Sequence, residues 1–170
     1  MSALGNFAFS RSCWRVGLSA LIASWCSVVV VSCMRTPPIL GLHGNRLSPC
    51  PLSPNCVCSF EAEPRAAIDP LICPGPTTAT QELMRLRDLL RRVPRTRLLE
   101  ERPRYLRFEV TSGLFRFRDD LEFLADDASK VIHVRSASRL GYSDLGTNRR
   151  RVEAIRHLFA NGAVPNTPQR

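Results

Sequence analysis

The densest run of chemically capable side chains is Arg135-Ser-Ala-Ser-Arg-Leu-Gly-Tyr-Ser-Asp-Leu-Gly-Thr-Asn-Arg149, where arginines are interleaved with small hydroxyl residues and glycines. It lies between a strand-like and a helix-like stretch. Such a loop can draw Arg135, Arg139 and Arg149 toward the first turn of a helix, whose exposed N–H groups favour negative charge. Asp119, Asp120, Glu122 and Asp144 supply neighbouring carboxylates. Two arrangements use these residues. One is an anion pocket with Arg135, Arg139, Asp144, Asn148 and Arg149 as its ligand-binding set. The other is an internal ion-pair network that fixes strand, loop and helix, because arginine's planar fork suits both. The Val152, Ile155 and Phe159 stripe draws Asn148 toward the inner side of the helix, where it can satisfy loop backbone groups. Gly141 and Gly146 suit turns.

Other reactive residues give less. His43, His133 and His157 have no serine or cysteine partner fixed by spacing, so no catalytic residue is nominated. Of seven cysteines, Cys13, Cys26 and Cys33 fall in an N-terminal apolar stretch, leaving Cys50, Cys56, Cys58 and Cys73. Cys50-Pro-Leu-Ser-Pro-Asn-Cys56 is the natural disulfide pair, since two prolines stiffen the loop and lower the entropy cost of closure. Four thiolates could also hold a metal, but Cys56-Val-Cys58 lacks the paired C-x-x-C of zinc ribbons. The same absence argues against a redox dithiol. The reading therefore assigns no metal and no cofactor.

The elements that must position these groups are visible as periodicities. Residues 49–76 contain seven prolines and read as irregular. Thr78-Ala-Thr-Gln81 has the form of a capping box, and Leu83, Leu86, Leu90 and Val93 follow at helical spacing before Pro94. Arg97–Glu101 reads as a short strand. Tyr105–Thr111 alternates, with Leu106, Phe108 and Val110 inward and Arg107 and Glu109 outward. The same period recurs at Leu114–Arg118 and Leu121–Phe123, and Val131–Ser136 follows a polar turn at 126–130. A last helix runs from about Asn148 to Ala160 and stops at Asn161-Gly162. This order predicts an α+β domain over 49–162: a small antiparallel meander of four or five strands with two helices on one face, preceded by the Pro-rich segment. Residues 163–170 read as a disordered tail.

The N-terminus predicts where the domain works. Arg11 and Arg15 precede an uncharged run, Val16 to Val31, which has the form of a secretory h-region. Val30-Val31-Ser32-Cys33 resembles a bacterial lipobox, with Cys33 as the lipidation site. The uncharged stretch continues to Met34, and its length of about 18–19 residues is also enough to remain as an uncleaved membrane helix. Residues 1–33 are thus a lipoprotein leader or a membrane anchor, and residues 34–48 a flexible tether. Both alternatives place the domain in the cell envelope, outside the cytoplasm.

Three stretches resemble a known family: Cys50–Val57, Thr111–Phe123 and Val131–Glu153. Across about Leu42–Phe159 the chain is similar to DUF1499, an uncharacterised family found in bacterial and plastid proteins. The resemblance implies a domain without implying a reaction. Cys58 and Cys73 depart from the family pattern, which speaks against a shared four-thiolate site.

The net charge is +9, carried by 23 arginines and one lysine. Such a balance attracts phosphates, acidic lipids or nucleic acid without specificity. Most of these arginines alternate with acids or lie on polar faces, as a solvated surface requires. Arg149-Arg-Arg151 and Arg156 suggest nucleic acid, but Val152 and Ile155 turn that helix inward and no reader motif is present. The function expected is a non-enzymatic, membrane-tethered envelope domain that binds a small anionic ligand or a protein partner. The alternative is an enzyme using the Arg/Asp cluster around 119–149.

Overall fold

A computed structural model describes residues 40–112 and 116–162. In chain order its elements are β1 (Leu42–His43), β2 (Arg46–Leu47), β3 (Cys56–Cys58), β4 (Leu71–Ile72), α1 (Ala79–Leu90), β5 (Thr96–Arg102), β6 (Tyr105–Thr111), β7 (Arg118–Asp126), β8 (Val131–Ser138) and α2 (Thr147–Asn161). The leader with Cys33, residues 34–39 of the proposed tether and the tail at 163–170 lie outside the described residues. No helix among the described residues is long and apolar enough to cross a membrane.

Period-two patterning makes β5, β6, β7 and β8 a continuous antiparallel meander, and β3 and β4 both pair with β8. The fold is α+β. Its register aligns Leu106 with Phe123 and Phe123 with Val134, and Phe108 with Leu121, so one face is apolar across the central strands. Both helices cover that face. Leu83, Leu86 and Leu90 of α1 and Val152, Ile155 and Phe159 of α2 enter one core with it. Phe108 and Phe123 meet edge to face at 6.4 Å.

Helix ends are held in different ways. Thr78 caps α1 through a complete capping box with Gln81. Gly146 precedes α2 at φ 76° and Gly162 closes it at φ 65°, conformations that favour glycine. Arg85 joins the two helices: its Nη2 donates to the Phe159 carbonyl at 3.1 Å and its guanidinium lies 4.3 Å from the Phe159 ring centre. That carbonyl belongs to the last turn of α2, where positive charge is favoured.

Three sequence expectations change. Residues 40–48 join the fold instead of acting as tether. Gly41 and Gly44 take φ of 93° and 61°, allowing a tight β1–β2 hairpin whose Leu47 and Ser48 are buried. Two-residue strands carry too little alternation to be seen in sequence. Second, the sheet face assigned outward is covered at its centre. Leu47 packs with Cys58, Tyr105 and Leu124, flanked by Leu42, Cys50 and Phe60, and Glu109 is buried. Third, of the alternation at 114–118, residues 114 and 115 lie outside the described residues, and Arg116 and Phe117 are not in a strand. Ser112 N–H donates to Phe117 O, and Phe117 N–H to Ser112 Oγ. Arg116 takes φ 53°, and β7 starts at Arg118.

The Pro-rich stretch is fastened by arginines of α2. Arg156 donates to the carbonyls of Asp69 and Pro70, each at 2.7 Å, and Arg149 Nη2 to those of Pro64, Arg65 and Ala67. Prolines remove the N–H groups that would otherwise help to pair such carbonyls, and the helix side chains take that role.

Candidate functional site

The covered sheet face carries an ordered charge array. Register places Arg107 opposite Glu122 and Glu122 opposite Arg135, with Glu109 opposite Asp120 in the next row. Arg135 Nη1 donates to Glu122 Oε2 at 2.8 Å, with side chains 1 % and 0 % exposed. Glu122 Oε1 accepts from the Tyr105 hydroxyl at 2.7 Å and the Gly41 N–H at 2.8 Å. Burial, then the Glu122 charge, push the Tyr105 phenol up from its ordinary value. Arg139 grips Asp120 with Nε and Nη2, at 2.7 and 2.8 Å, and reaches Glu109 with Nη1 at 2.8 Å. Burial alone would push the Glu109 carboxyl up, but Arg139, Arg118 and Arg97 outweigh it and hold it below its ordinary range.

A second cluster joins α2 to the sheet and to the 50–56 loop. Asn148 is fully buried, its Oδ1 accepting from the Ser136 hydroxyl at 2.6 Å. Its amide donates to the Asn55 carbonyl at 2.9 Å and Ser138 Oγ at 3.1 Å. Arg151 bonds Asp119, Asn148 Oδ1 and Ser136 Oγ. Asp144 takes the N–H groups of Gly146 and Asn148 at 2.9 and 2.7 Å, so it supplies the cap that Gly146 lacks.

An open cleft of about 220 Å3 lies beside this helix start, lined by Pro54, Cys56, Val57, Arg65, Ser143, Asp144, Gly146 and Arg149. Two of the five residues nominated from sequence, Asp144 and Arg149, line it. Arg135 and Arg139 do not: alternation along β8 and the residues after it turns both toward carboxylates on the sheet face away from the helices. Asn148 is spent on backbone and side-chain partners in the interior. The five residues therefore do not form one pocket. Arg65 and Ser143 are cleft residues that sequence reasoning missed. Arg65 sits in the Pro-rich stretch, where no periodicity ties it to a loop some eighty residues away.

Cys50 and Cys56 are bridged, with Cα atoms 5.6 Å apart, while Cys58 and Cys73 are buried free thiols. Burial pushes the Cys58 thiol up and the Cys73 thiol to about 11, so neither is readily ionised at neutral pH. Among the described residues no group of three or more His, Cys, Asp or Glu is placed to hold a metal. His133 Nδ1 lies 3.1 Å from Ser59 Oγ. That oxygen already accepts the Val134 N–H at 3.0 Å, and Phe60 stacks on the imidazole at 4.0 Å. The contact is a strap between loop and strand, and burial holds the imidazole below its ordinary value.

A family model described as "Protein of unknown function (DUF1499)" matches residues 46–159, about two thirds of the chain. The chain belongs to this family. No curated protein and no solved structure matches it.

Proposed function

We propose that this DUF1499 member is a non-enzymatic, membrane-tethered domain of the cell envelope that binds a small anionic ligand in the cleft at the start of α2. The observation that carries this reading is the pair of arginines on the cleft wall. Carbonyl oxygens hold both guanidinium groups: Arg65 Nη1 donates to Leu52 O at 2.6 Å, and Arg149 Nη2 to three carbonyls of 64–67. Neutral acceptors orient these arginines without cancelling their charge. The one carboxylate in the lining, Asp144, is occupied by backbone N–H groups. The volume lies below the roughly 300–1,000 Å3 of clefts for drug-sized ligands, which favours an oxyanion or a phosphate-bearing headgroup. Binding is favoured over catalysis because Asp119, Asp120 and Glu122 are each held by an arginine.

Thermal unfolding of the full chain in detergent tests the cleft. Inorganic phosphate should raise the midpoint by several degrees over chloride at equal ionic strength, since saturating a site at a hundred times Kd adds about 2.7 kcal/mol. Arg149→Gln and Arg65→Gln should each reduce that rise while remaining folded. Equal midpoints in the two salts, or a rise that both variants keep, would remove the cleft as the site.

A further inference from the structure

Six large apolar side chains are exposed among the described residues, and four of them lie on two adjoining loops. Leu52 is 88 % exposed on the disulfide loop, and Leu140, Tyr142 and Leu145 are 66, 68 and 84 % exposed between β8 and α2. The loops touch: Asn55 Nδ2 donates to Gly141 O at 2.7 Å, and Pro54 and Ser143 line one cleft. Leu145 also holds φ 53°, a conformation that costs a branched side chain energy and that asparagine or glycine would take more cheaply. Arginines accompany these residues. Arg65 is bonded to the Leu52 carbonyl, and Arg150 Nη1 to the Leu145 carbonyl at 2.9 Å.

We propose that these two loops form a docking surface for an anionic lipid bilayer. Leu52, Leu140, Tyr142 and Leu145 enter the interface, while Arg65 and Arg150 lie at the level of the headgroup phosphates. The charge is complementary, since no acid but the occupied Asp144 belongs to the 139–150 segment. Each of the four apolar side chains is 66 % or more exposed and none lines the cleft, so we take them as separate projections. Mobile lipid tails receive separate projections without a matched shape, and a tyrosine suits the boundary between headgroups and tails. Arg65 is shared with the cleft wall, but none of the four apolar side chains lines the cleft, so the two readings fail separately.

The test is hydroxyl-radical labelling of the full chain in nanodiscs of phosphatidylcholine alone or mixed with phosphatidylglycerol. Added liposomes of the same compositions serve if the chain does not enter nanodiscs. Labelling of Tyr142, Leu52, Leu140 and Leu145 should fall several-fold in the anionic membrane, while Ile72, exposed on β4, keeps its reactivity. Leu145→Asn and Leu52→Ser, both at exposed positions, should each weaken docking by about tenfold. Arg65→Gln with Arg150→Gln should restore labelling of Tyr142. Equal labelling in both compositions overturns the proposal. So does protection that survives the arginine pair, or protection in detergent that grows with protein concentration, which would assign the surface to a second copy. A phosphate-induced thermal shift without lipid protection would sink this surface alone and leave the cleft standing.

Discussion

Arg135 and Arg149 show how differently one side chain is held within this fold. Arg135 is sealed against Glu122, whose other oxygen is filled by Tyr105 and Gly41, whereas Arg149 leans on carbonyls beside an open cleft. Removing the buried guanidinium leaves a carboxylate without a counter-charge, a loss of about 3–5 kcal/mol by analogy with other buried pairs. Arg135→Met should therefore destabilise strongly in urea unfolding. Adding Glu122→Gln should recover part of the loss, because the amide oxygen still accepts from Tyr105 and Gly41 without a charge to bury. A double variant as unstable as the single one would show that packing around Arg135, not its charge, is what matters. The sequence named the reactive residues of this region but not their partners. An arginine at 135 and another at 149 look alike until the register decides which face each takes. The alternation that put Glu109 on the face opposite Leu106 and Phe108 was readable, but not that a hairpin from residues 42–47 would roof that face.

Elements of four residues or more were legible where a local rule governs them. The Thr78–Gln81 box marks the start of α1, and alternation marks β6 and β8. By contrast β1, β2, β3 and β4 have two or three residues each and owe their pairing to neighbours already in place, so no local pattern announces them. The start of α2 is intermediate. Gly146 occupies the N-cap, a weaker signal than a serine or aspartate, and the capping carboxylate stands two residues earlier at Asp144. Loss of a cap typically costs about 1–2 kcal/mol. Asp144→Ala should lower the unfolding midpoint by several degrees, with Asp144→Asn between it and the wild type because an amide oxygen can keep one of the two bonds. Circular dichroism melts of the three proteins decide this. An unchanged midpoint in Asp144→Ala would mean that Asn148 and its buried partners hold the helix start unaided.

At the scale of the whole molecule, the net charge of +9 is not spread evenly. Arg135, Arg139 and Arg151 are neutralised inside by Glu122, Asp120 and Asp119. The unbalanced charge falls on exposed positions such as Arg65 in the Pro-rich stretch and Arg150 in the first turn of α2, and on Arg11 and Arg15 ahead of the apolar run at 16–31. A positive segment before an apolar run and a positive surface on the domain are both consistent with the proposed membrane tether, since each favours an anionic leaflet. If Cys33 is acylated, cells fed labelled palmitate should yield labelled protein that fractionates with the envelope, and Cys33→Ser should lose the label. Membrane-bound protein without label in the wild type would assign residues 16–31 as an uncleaved helix instead. Unlabelled protein in the soluble cytoplasmic fraction would sink the envelope reading, while leaving the affinity of the cleft for phosphate to be judged by its own thermal shift.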